Sequence, residues 1–510
     1  MGEPVIEHPP FGVPNPFVRN VAGRRRRRFL LGGTAFLLAA ALVAWLAVRV
    51  FASPSCGEGV VRRGGDCVGV TDGSFDFDPA MKPIDRQILQ ENRRVVKSGD
   101  AYVTVAFLGA LSTTREHNLT GGRAVREVEG AYIAQRRAND GAAGGNSPKI
   151  RLVLANEGSD QSQWAYVVGK LTAMVRSDHL VAVAGLGLST RETLESARVL
   201  SAHGIAMVGD VVTGDGIDSS GAALPLIGAG PPTRIEGLAR VGSHVSQQVS
   251  VLAQYLRGRM KTAAMVVDQK ATDLYSRSLA TDFRATFGGS IKKGGRFEEP
   301  FTADSPAQKG IYNRYHTVAT NLNLCGGDPP DVVLYAGRTI FLPGLLGYLE
   351  RCTKKPITVV TGSDAAGVAG FSAATPASII YTPLADPDQL AGPANPRRAM
   401  YQAFLADCVK YHPGFRPSDW RDAWGLMAHD ALLTAAQAVR LAAGPQGGTV
   451  PSPRDVAGLL YNLHSANKVE GASGPIELDG NGNPTLRAIP VIKLAADGER
   501  TVLGSFKPGK

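Results

Sequence analysis

Short apolar runs alternate with amphipathic segments along most of the chain. Uniformly hydrophobic runs, which are typical of strands buried on both faces of a parallel sheet, lie at 103–107, 150–154, 180–184 and 205–208. Polar and apolar residues at helical spacing predict helices between them, at 122–139, 161–176 and 191–202. A second set of strand-like runs lies at 263–267, 332–335, 357–360 and 378–381. This alternation predicts an α/β fold with two parallel sheets, each flanked by helices.

The start of the chain has a different pattern. Five arginines, 24–28, precede 20 residues without a charge, 29–48. A helix of that length spans roughly the 30 Å hydrocarbon core of a bilayer. Because basic residues before an apolar span stay in the cytoplasm, we expect a cytoplasmic tail at 1–28 and a transmembrane helix at 29–51. The predicted location is the cell membrane, single-pass, with the C-terminal domain outside.

Two other interpretations of this start remain open. A cleaved signal peptide would use the passable site Val50-Phe51-Ala52, although its apolar core would be unusually long. A lipoprotein signal is disfavoured because Ser55 precedes Cys56 and another serine stands at the −3 position, where an aliphatic residue is needed. The net charge of +10 is partly local to the arginine-rich tail, which favours contact with anionic lipid over a nucleic-acid role.

The five cysteines suit an oxidising exterior. Cys56 and Cys67 flank a Gly-rich segment and are predicted to close a loop within a juxtamembrane region, 52–97, that also contains a polar helix near 84–96. Cys325 and Cys352 have a spacing compatible with a second disulfide, which leaves Cys408 reduced. Metal binding is the weaker alternative, because there is no C-x-x-C and the histidines are scattered.

Candidate binding chemistry lies where the predicted strands end, since ligands of open α/β sheets bind beyond the carboxyl ends of strands. After the strand at 180–184 comes a Gly-rich turn with Ser189 and Thr190, where a capping box from Ser189 to Glu192 is expected. Thr213 and Asp364 follow two other strands. Sequence motifs for dinucleotide, phosphate-loop, serine-hydrolase and zinc-protease sites are absent. The dinucleotide motif fails because Thr190 stands where a third glycine would have to follow Gly185 and Gly187. We therefore expect no enzyme, no cofactor and no metal.

Several of these segments, in order, resemble the type I periplasmic binding proteins, specifically the branched-chain amino-acid (leucine/isoleucine/valine) receptor family of ABC transporters. The resemblance covers about four-fifths of the chain. Its motifs are the first strand with its Gly109 end, the Gly130-Ala131 helix, the Ser189-Thr190 turn, an Asp268-to-Tyr275 segment, the helix with Ala428-His429-Asp430-Ala431, and the turn that ends at Asp479-Gly480-Asn481-Gly482.

The resemblance implies two lobes joined by three hinge crossings. Lobe one would comprise 98–241 and 382–479, and lobe two 242–381 and 480–510. In the family an amino acid binds between the lobes, and its ligand set carries over here to Ser189, Thr190, Thr213, Tyr275 and Asp364. Hydroxyls would hold the ligand carboxylate, and Asp364 would pair with its ammonium.

The resulting expectation is a membrane-tethered extracytoplasmic solute-binding protein for an amino acid or similar small polar ligand, which serves an ABC permease. Three departures from the family keep alternatives open. Gly187-Leu188 makes the turn poorer in serine, Val211-Val212 crowds Thr213, and an anchor helix is unusual for such receptors. A ligand-sensing or scaffold cell-surface protein with the same bilobal fold is the main alternative, and an enzyme is a minor one.

Overall fold

The computed structural model describes residues 55–112, 121–291, 298–303, 308–351, 356–368, 370–371, 377–445, 449–485 and 487–509. The predicted cytoplasmic tail and transmembrane helix, 1–28 and 29–51, lie outside these residues. Within the described ranges, no helix is both long enough and apolar enough to cross a membrane.

The first sheet has eight strands in the order β1-β2-β3-β5-β4-β6-β7-β8. The strands are β1 Ser55–Gly57, β2 Val60–Arg63, β3 Asp66–Thr71, β4 Tyr102–Gly109, β5 Lys149–Asn156, β6 Leu180–Gly185, β7 Ala206–Gly209 and β8 Leu238–Arg240. From β5 to β8 all pairs are parallel, whereas β1 to β3 form an antiparallel meander that joins β5 at one edge. The four predicted strands of this set are confirmed, and the meander is an addition to the sheet.

The helices of this first part are α1 Lys82–Lys97, α2 Gly121–Asn139, α3 Trp164–Ser177 and α4 Arg191–Ala202. Apolar residues from both faces of the sheet are buried under them in two clusters, one on the side of α1 and α2 and one on the side of α3 and α4. Burial on both faces explains why these strands are continuous hydrophobic runs in the sequence.

The second sheet has seven strands in the order β10-β9-β11-β12-β13-β16-β17. They are β9 Ala263–Asp268, β10 Glu298–Phe301, β11 Val332–Ala336, β12 Ile357–Val360, β13 Ala377–Tyr381, β16 Ile489–Ala495 and β17 Arg500–Phe506. Pairs from β10 to β13 are parallel, and β16 and β17 are antiparallel additions. Its helices are α5 Val245–Leu256, α6 Leu274–Phe287, α7 Ile311–Asn321 and α8 Leu342–Leu349.

Between β13 and β16 the chain returns to the first sheet. This return contains α9 Pro387–Ala391, α10 Arg398–Tyr411, α11 Trp424–Ala443, α12 Pro453–Leu459 and the hairpin β14 Val469–Gly471 and β15 Gly474–Ile476. Helix α11 packs against α2, where the carbonyl oxygen of Gly425 lies so close to Gly130 that a Cβ there would clash. The chain thus passes between the two sheets three times. We call the first sheet with its helices lobe one and the second lobe two; both belong to the compact unit Ser55–Lys510.

Two asparagines close the edge of β5 that β3 leaves uncovered. The side chain of Asn92 on α1 accepts the Leu152 N–H at 2.9 Å and donates to the Leu152 carbonyl at 2.6 Å. The side chain of Asn139 likewise accepts the Ile150 N–H at 2.7 Å and donates to the Ile150 carbonyl at 3.1 Å. The buried backbone of this edge is therefore satisfied by side chains.

The disulfide Cys56–Cys67 is confirmed, with Cα atoms 6.0 Å apart, and it ties β1 to β3. Cys325 is also disulfide-bonded, while its predicted partner Cys352 lies outside the described residues. Cys408 is buried and free, as expected, and burial raises the pKa of its thiol.

Candidate functional site: the contact between the lobes

The lobes meet through backbone hydrogen bonds at the turn after β6. The carbonyl oxygen of Ser189 accepts the N–H groups of Leu274 at 3.0 Å and Tyr275 at 3.3 Å. In the opposite direction, the Arg191 N–H donates to the Thr272 carbonyl at 2.9 Å. These bonds join the start of α4 in lobe one to the start of α6 in lobe two, so the cleft is closed here.

Ser189 has a role within lobe one. Its Oγ accepts the N–H groups of Thr213 at 2.8 Å and Gly214 at 2.9 Å, and only 1% of the residue is exposed. Helix α4 consequently begins one residue later than the predicted capping box: its N-cap is Thr190, whose Oγ1 accepts the Thr193 N–H. The expectation of a cap at Ser189 was wrong because its hydroxyl is already engaged by the segment after β7.

Asp364 lies in lobe two and forms a buried ion pair with Arg123 of α2 in lobe one. Arg123 Nη1 is 2.9 Å from Asp364 Oδ1, and Nη2 donates to the Asp364 carbonyl at 3.0 Å. The other carboxylate oxygen accepts the Thr339 N–H and hydroxyl, each at 2.8 Å. Both side chains of the pair are 7% exposed. The acid predicted to meet a ligand ammonium is thus saturated by groups of the protein itself.

The surroundings favour this pair. The Arg123 guanidinium carbon lies 4.5 Å above the Trp424 ring, a cation–π distance. A side chain at Gly367 would overlap the guanidinium, so this position must remain glycine for Arg123 to enter. Burial would raise the pKa of the Asp364 carboxyl, but the charges of Arg123 and Arg338 and the donors of Thr339 outweigh it and lower the pKa.

Tyr275 lies in the core of lobe two beside Asp364. Its hydroxyl oxygen accepts the Asp364 N–H at 3.2 Å, and the Arg338 guanidinium carbon lies 4.6 Å above its ring. Arg338 in turn makes a bidentate pair with Asp273, at 2.8 and 3.0 Å. Asp273 is the N-cap of α6, so this second ion pair orders the segment that contacts Ser189.

A pair of carboxyl groups, Glu127 of α2 and Asp210 after β7, is buried on the same side of lobe one as Arg123. The two residues are 4% and 0% exposed. Burial, followed by the neighbouring Asp210 charge, raises the pKa of Glu127 well above its usual range. Burial also raises the pKa of Asp210 to about 7. Two carboxylates this close cannot both be charged at low cost, so we infer that they share a proton near neutral pH.

A cavity of about 170 Å³ remains between the lobes beside these contacts. Its lining from lobe one includes Gln161, Thr190 and Glu192, and its lining from lobe two includes Lys270 and Thr272. Of the five predicted site residues, Thr190 alone lines this cavity, while the structure places Ser189, Thr213, Tyr275 and Asp364 in the buried contacts around it. The predicted residues therefore lie at one inter-lobe junction but do not form a single surface.

Sequence reasoning missed Arg123, Gln161 and Lys270. Arg123 lies on a predicted amphipathic helix, where an arginine is usually solvent-exposed, and its partner is 241 positions away. Gln161 has a positive φ of 62°, which no residue pattern reveals. Lys270 could have been predicted as a site residue, because it follows the end of a strand at Asp268.

A scan against protein-family models and a search of curated proteins gave no match. Among solved structures, the chain is similar to the branched-chain amino acid transporter substrate-binding protein LivJ from Streptococcus pneumoniae in complex with isoleucine. The identity is 17% and the TM-score 0.54, over 80% of this chain and all of that one. The leucine-binding protein LivK from Thermotoga maritima gives 17% and 0.55, over 80% and 99%.

A third similar structure is an ABC transporter solute-binding protein from Rhodopseudomonas palustris in complex with 4-hydroxybenzoate, with 15% identity and a TM-score of 0.56 over 80% and 98% of the two chains. The resemblance inferred from the sequence motifs is therefore confirmed for the architecture. The chain has the two-lobed α/β fold of the type I periplasmic binding proteins.

Proposed function

We propose that this chain is a solute-binding protein that holds a small, polar, carboxylate-bearing solute between its lobes. The observation that carries the proposal is the inter-lobe cavity, whose lining combines neutral donors, Lys270 and three acids, Asp160, Glu192 and Asp273, of which Asp273 is already paired with Arg338. The start of α4 suits a carboxylate because the N-terminus of a helix attracts anions, although the Arg191 and Thr193 N–H groups are already bonded to the Thr272 carbonyl and to Thr190 Oγ1. Lys270 adds a positive charge from lobe two, and Glu192 offers a partner for an ammonium group.

The similar solved structures support a binding rather than a catalytic role, because they are a substrate-binding protein in complex with isoleucine, a leucine-binding protein and a solute-binding protein in complex with 4-hydroxybenzoate. We further propose that residues 29–51 tether the protein to the outer face of a membrane, where it delivers solute to an ABC permease. Intact-mass analysis of the membrane fraction tests the tether. A mature chain that starts near residue 53 would contradict it.

A thermal-shift screen of the full-length chain against amino acids and aromatic acids tests the binding role. A ligand present at 100 times its Kd stabilises the folded state by about 2.7 kcal/mol, which such a screen resolves. Thr190→Val should weaken the affinity for a hit by about 1–3 kcal/mol, because it removes one polar partner of a half-buried ligand. Thr172→Val, at a similarly half-buried threonine of α3 that does not line the cavity, is the matched control. Equal affinity in wild type and Thr190→Val would contradict the assigned cavity.

The ion pair Arg123–Asp364 favours a second candidate, a scaffold that keeps the bilobal fold closed without a ligand. In this alternative Arg123 fills the position that the resemblance assigns to a ligand ammonium. If the protein is such a scaffold, no small solute should stabilise its folded state, and its radius of gyration should not change when solutes are added. Small-angle X-ray scattering with and without a hit from the screen distinguishes the two candidates.

A further inference from the structure

A larger cavity lies on the hinge, away from the contact between α4 and α6. Its volume is about 630 Å³, within the range of roughly 300–1,000 Å³ that is typical of small-molecule sites. Its walls come from both lobes and from two of the three passages between them. They are largely apolar and include Leu384, Leu390, Pro393, Ala488, Pro490 and Val502.

One guanidinium group lines this apolar cavity. Arg487 donates through Nη1 to the Ser473 carbonyl at 3.2 Å and to the Ser473 hydroxyl at 3.0 Å. Through Nη2 it donates to the Leu384 carbonyl at 3.4 Å. All three acceptors are neutral, and no carboxylate of the described residues lies within ion-pair distance of Arg487. Burial lowers the pKa of this guanidinium, as expected for a charge held without a close counter-ion.

The nearby acids Asp386 and Asp430 contact other groups, although Asp386 Oδ2 has no hydrogen-bond partner among the described residues. Asp386 also lines the cavity, but its Oδ1 accepts Arg500 Nη2 at 3.0 Å, and Arg500 reaches Asp388 as well at 3.3 Å. The charge of Asp430 acts to raise the pKa of Arg487, against the effect of burial. The Asp430 carboxylate itself accepts the N–H groups of Ala472 at 2.7 Å and Ser473 at 2.9 Å. The cavity thus presents a positive group that has neutral acceptors but no ionic partner among the described residues, set in a largely apolar wall.

We propose that the hinge cavity is a second binding site, for a small carboxylate with an apolar body. The carboxylate would pair with the free N–H groups of Arg487, since charge-assisted bonds to arginine are strong and a buried charge is costly to leave unpaired. The apolar body would lie against Leu384, Leu390 and Pro490. Because these residues belong to segments that pass between the lobes, a bound acid would contact both lobes at the point where they pivot. This site is separate from the one in the proposed function.

Calorimetric titration of the full-length chain with hexanoate and benzoate tests the proposal, with hexanamide and benzamide as uncharged isosteres. We expect both acids to bind at least about tenfold more tightly than their amides, because hydrogen bonds between two charged groups are stronger than those to a neutral group. Arg487→Met should abolish that preference, while Arg257→Met, which removes an exposed arginine of lobe two, should leave it unchanged. Equal binding of acid and amide, or an unchanged preference in Arg487→Met, would overturn the proposal.

Two further variants keep the test decisive. Ala488→Phe adds bulk at the exposed mouth of the cavity and should reduce acid binding even if Arg487→Met does not fold; unchanged acid binding in Ala488→Phe would overturn the proposal. Thr190→Val, in the other cavity, should leave hexanoate binding intact. Loss of hexanoate binding in Thr190→Val would place the acid between the lobes and would overturn the hinge site without touching the proposed function.

Discussion

Two buried arginine–aspartate pairs lie around Tyr275, and they differ in what they connect. Arg338 and Asp273 both belong to lobe two and are 5% and 4% exposed. Arg123 and Asp364 are similarly buried but come from different lobes. The first pair lies within one lobe and needs no contact between the lobes, whereas the second pair requires the lobes to touch. Two pairs of similar burial are therefore expected to differ in effect: the first stabilises the fold of lobe two, and the second holds the lobes together.

The largest effect is expected for Arg338→Met. This change leaves the buried Asp273 carboxylate without its ionic partner, although the N–H of Tyr275 and the hydroxyl of Ser276 still donate to it. The free energy of unfolding should fall by about 3–5 kcal/mol, the usual cost of breaking a buried pair. Urea unfolding measures it. The exposed pair Arg284–Glu298 is the control, since Arg284→Met should cost less than about 1 kcal/mol.

A smaller stability loss, about 1–3 kcal/mol, is expected for Arg123→Met. Separation of the lobes lets water reach Asp364, so the variant avoids most of the desolvation cost that Arg338→Met must bear. The radius of gyration from small-angle scattering should increase, and affinity for a cleft ligand with an ammonium group should rise. An unchanged radius together with a stability loss as large as that of Arg338→Met would show that the two pairs do not differ in the proposed way.

The inter-lobe pair should also depend on pH in a defined direction. The pKa of Asp364 is lowered in the folded protein, so its contribution is present above the unfolded pKa of about 4 and is lost as pH falls through the folded pKa. The stability difference between wild type and Arg123→Met should therefore shrink as pH is lowered from 6 to 3. Thermal unfolding at several pH values checks this, and a difference that grows on acidification would contradict it.

The smallest effect concerns the carboxyl pair of lobe one, where the sign is opposite. The pKa of Asp210 is raised to about 7, so the folded state binds the additional proton and the pair stabilises it less as pH rises from about 4 to 7. Asp210→Asn should make the unfolding temperature less dependent on pH across this window than in wild type. A steeper dependence in the variant would refute the shared proton.

Most of the parallel strands follow from local pattern, because strands buried on both faces must be apolar along their length. Predicted runs such as 180–184 coincide closely with β6. The meander β1 to β3 was missed, since short strands in a Gly-rich segment resemble turns and their pairing with β5 is non-local. Arg123 shows the limit for the site: its role depends on Asp364, Trp424 and the missing side chain of Gly367, which only the folded chain brings together.

The asparagines at the edge of β5 have a consequence beyond lobe one. An uncovered strand is a template on which another polypeptide can add a strand, and this is how many proteins aggregate or polymerise. Asn92 and Asn139 occupy the donors and acceptors of Leu152 and Ile150 that such a strand would need. At Ile150 and Leu152 this edge of the sheet therefore offers no free backbone groups. A strand from a neighbouring copy of the chain cannot pair with it there, even at high protein concentration.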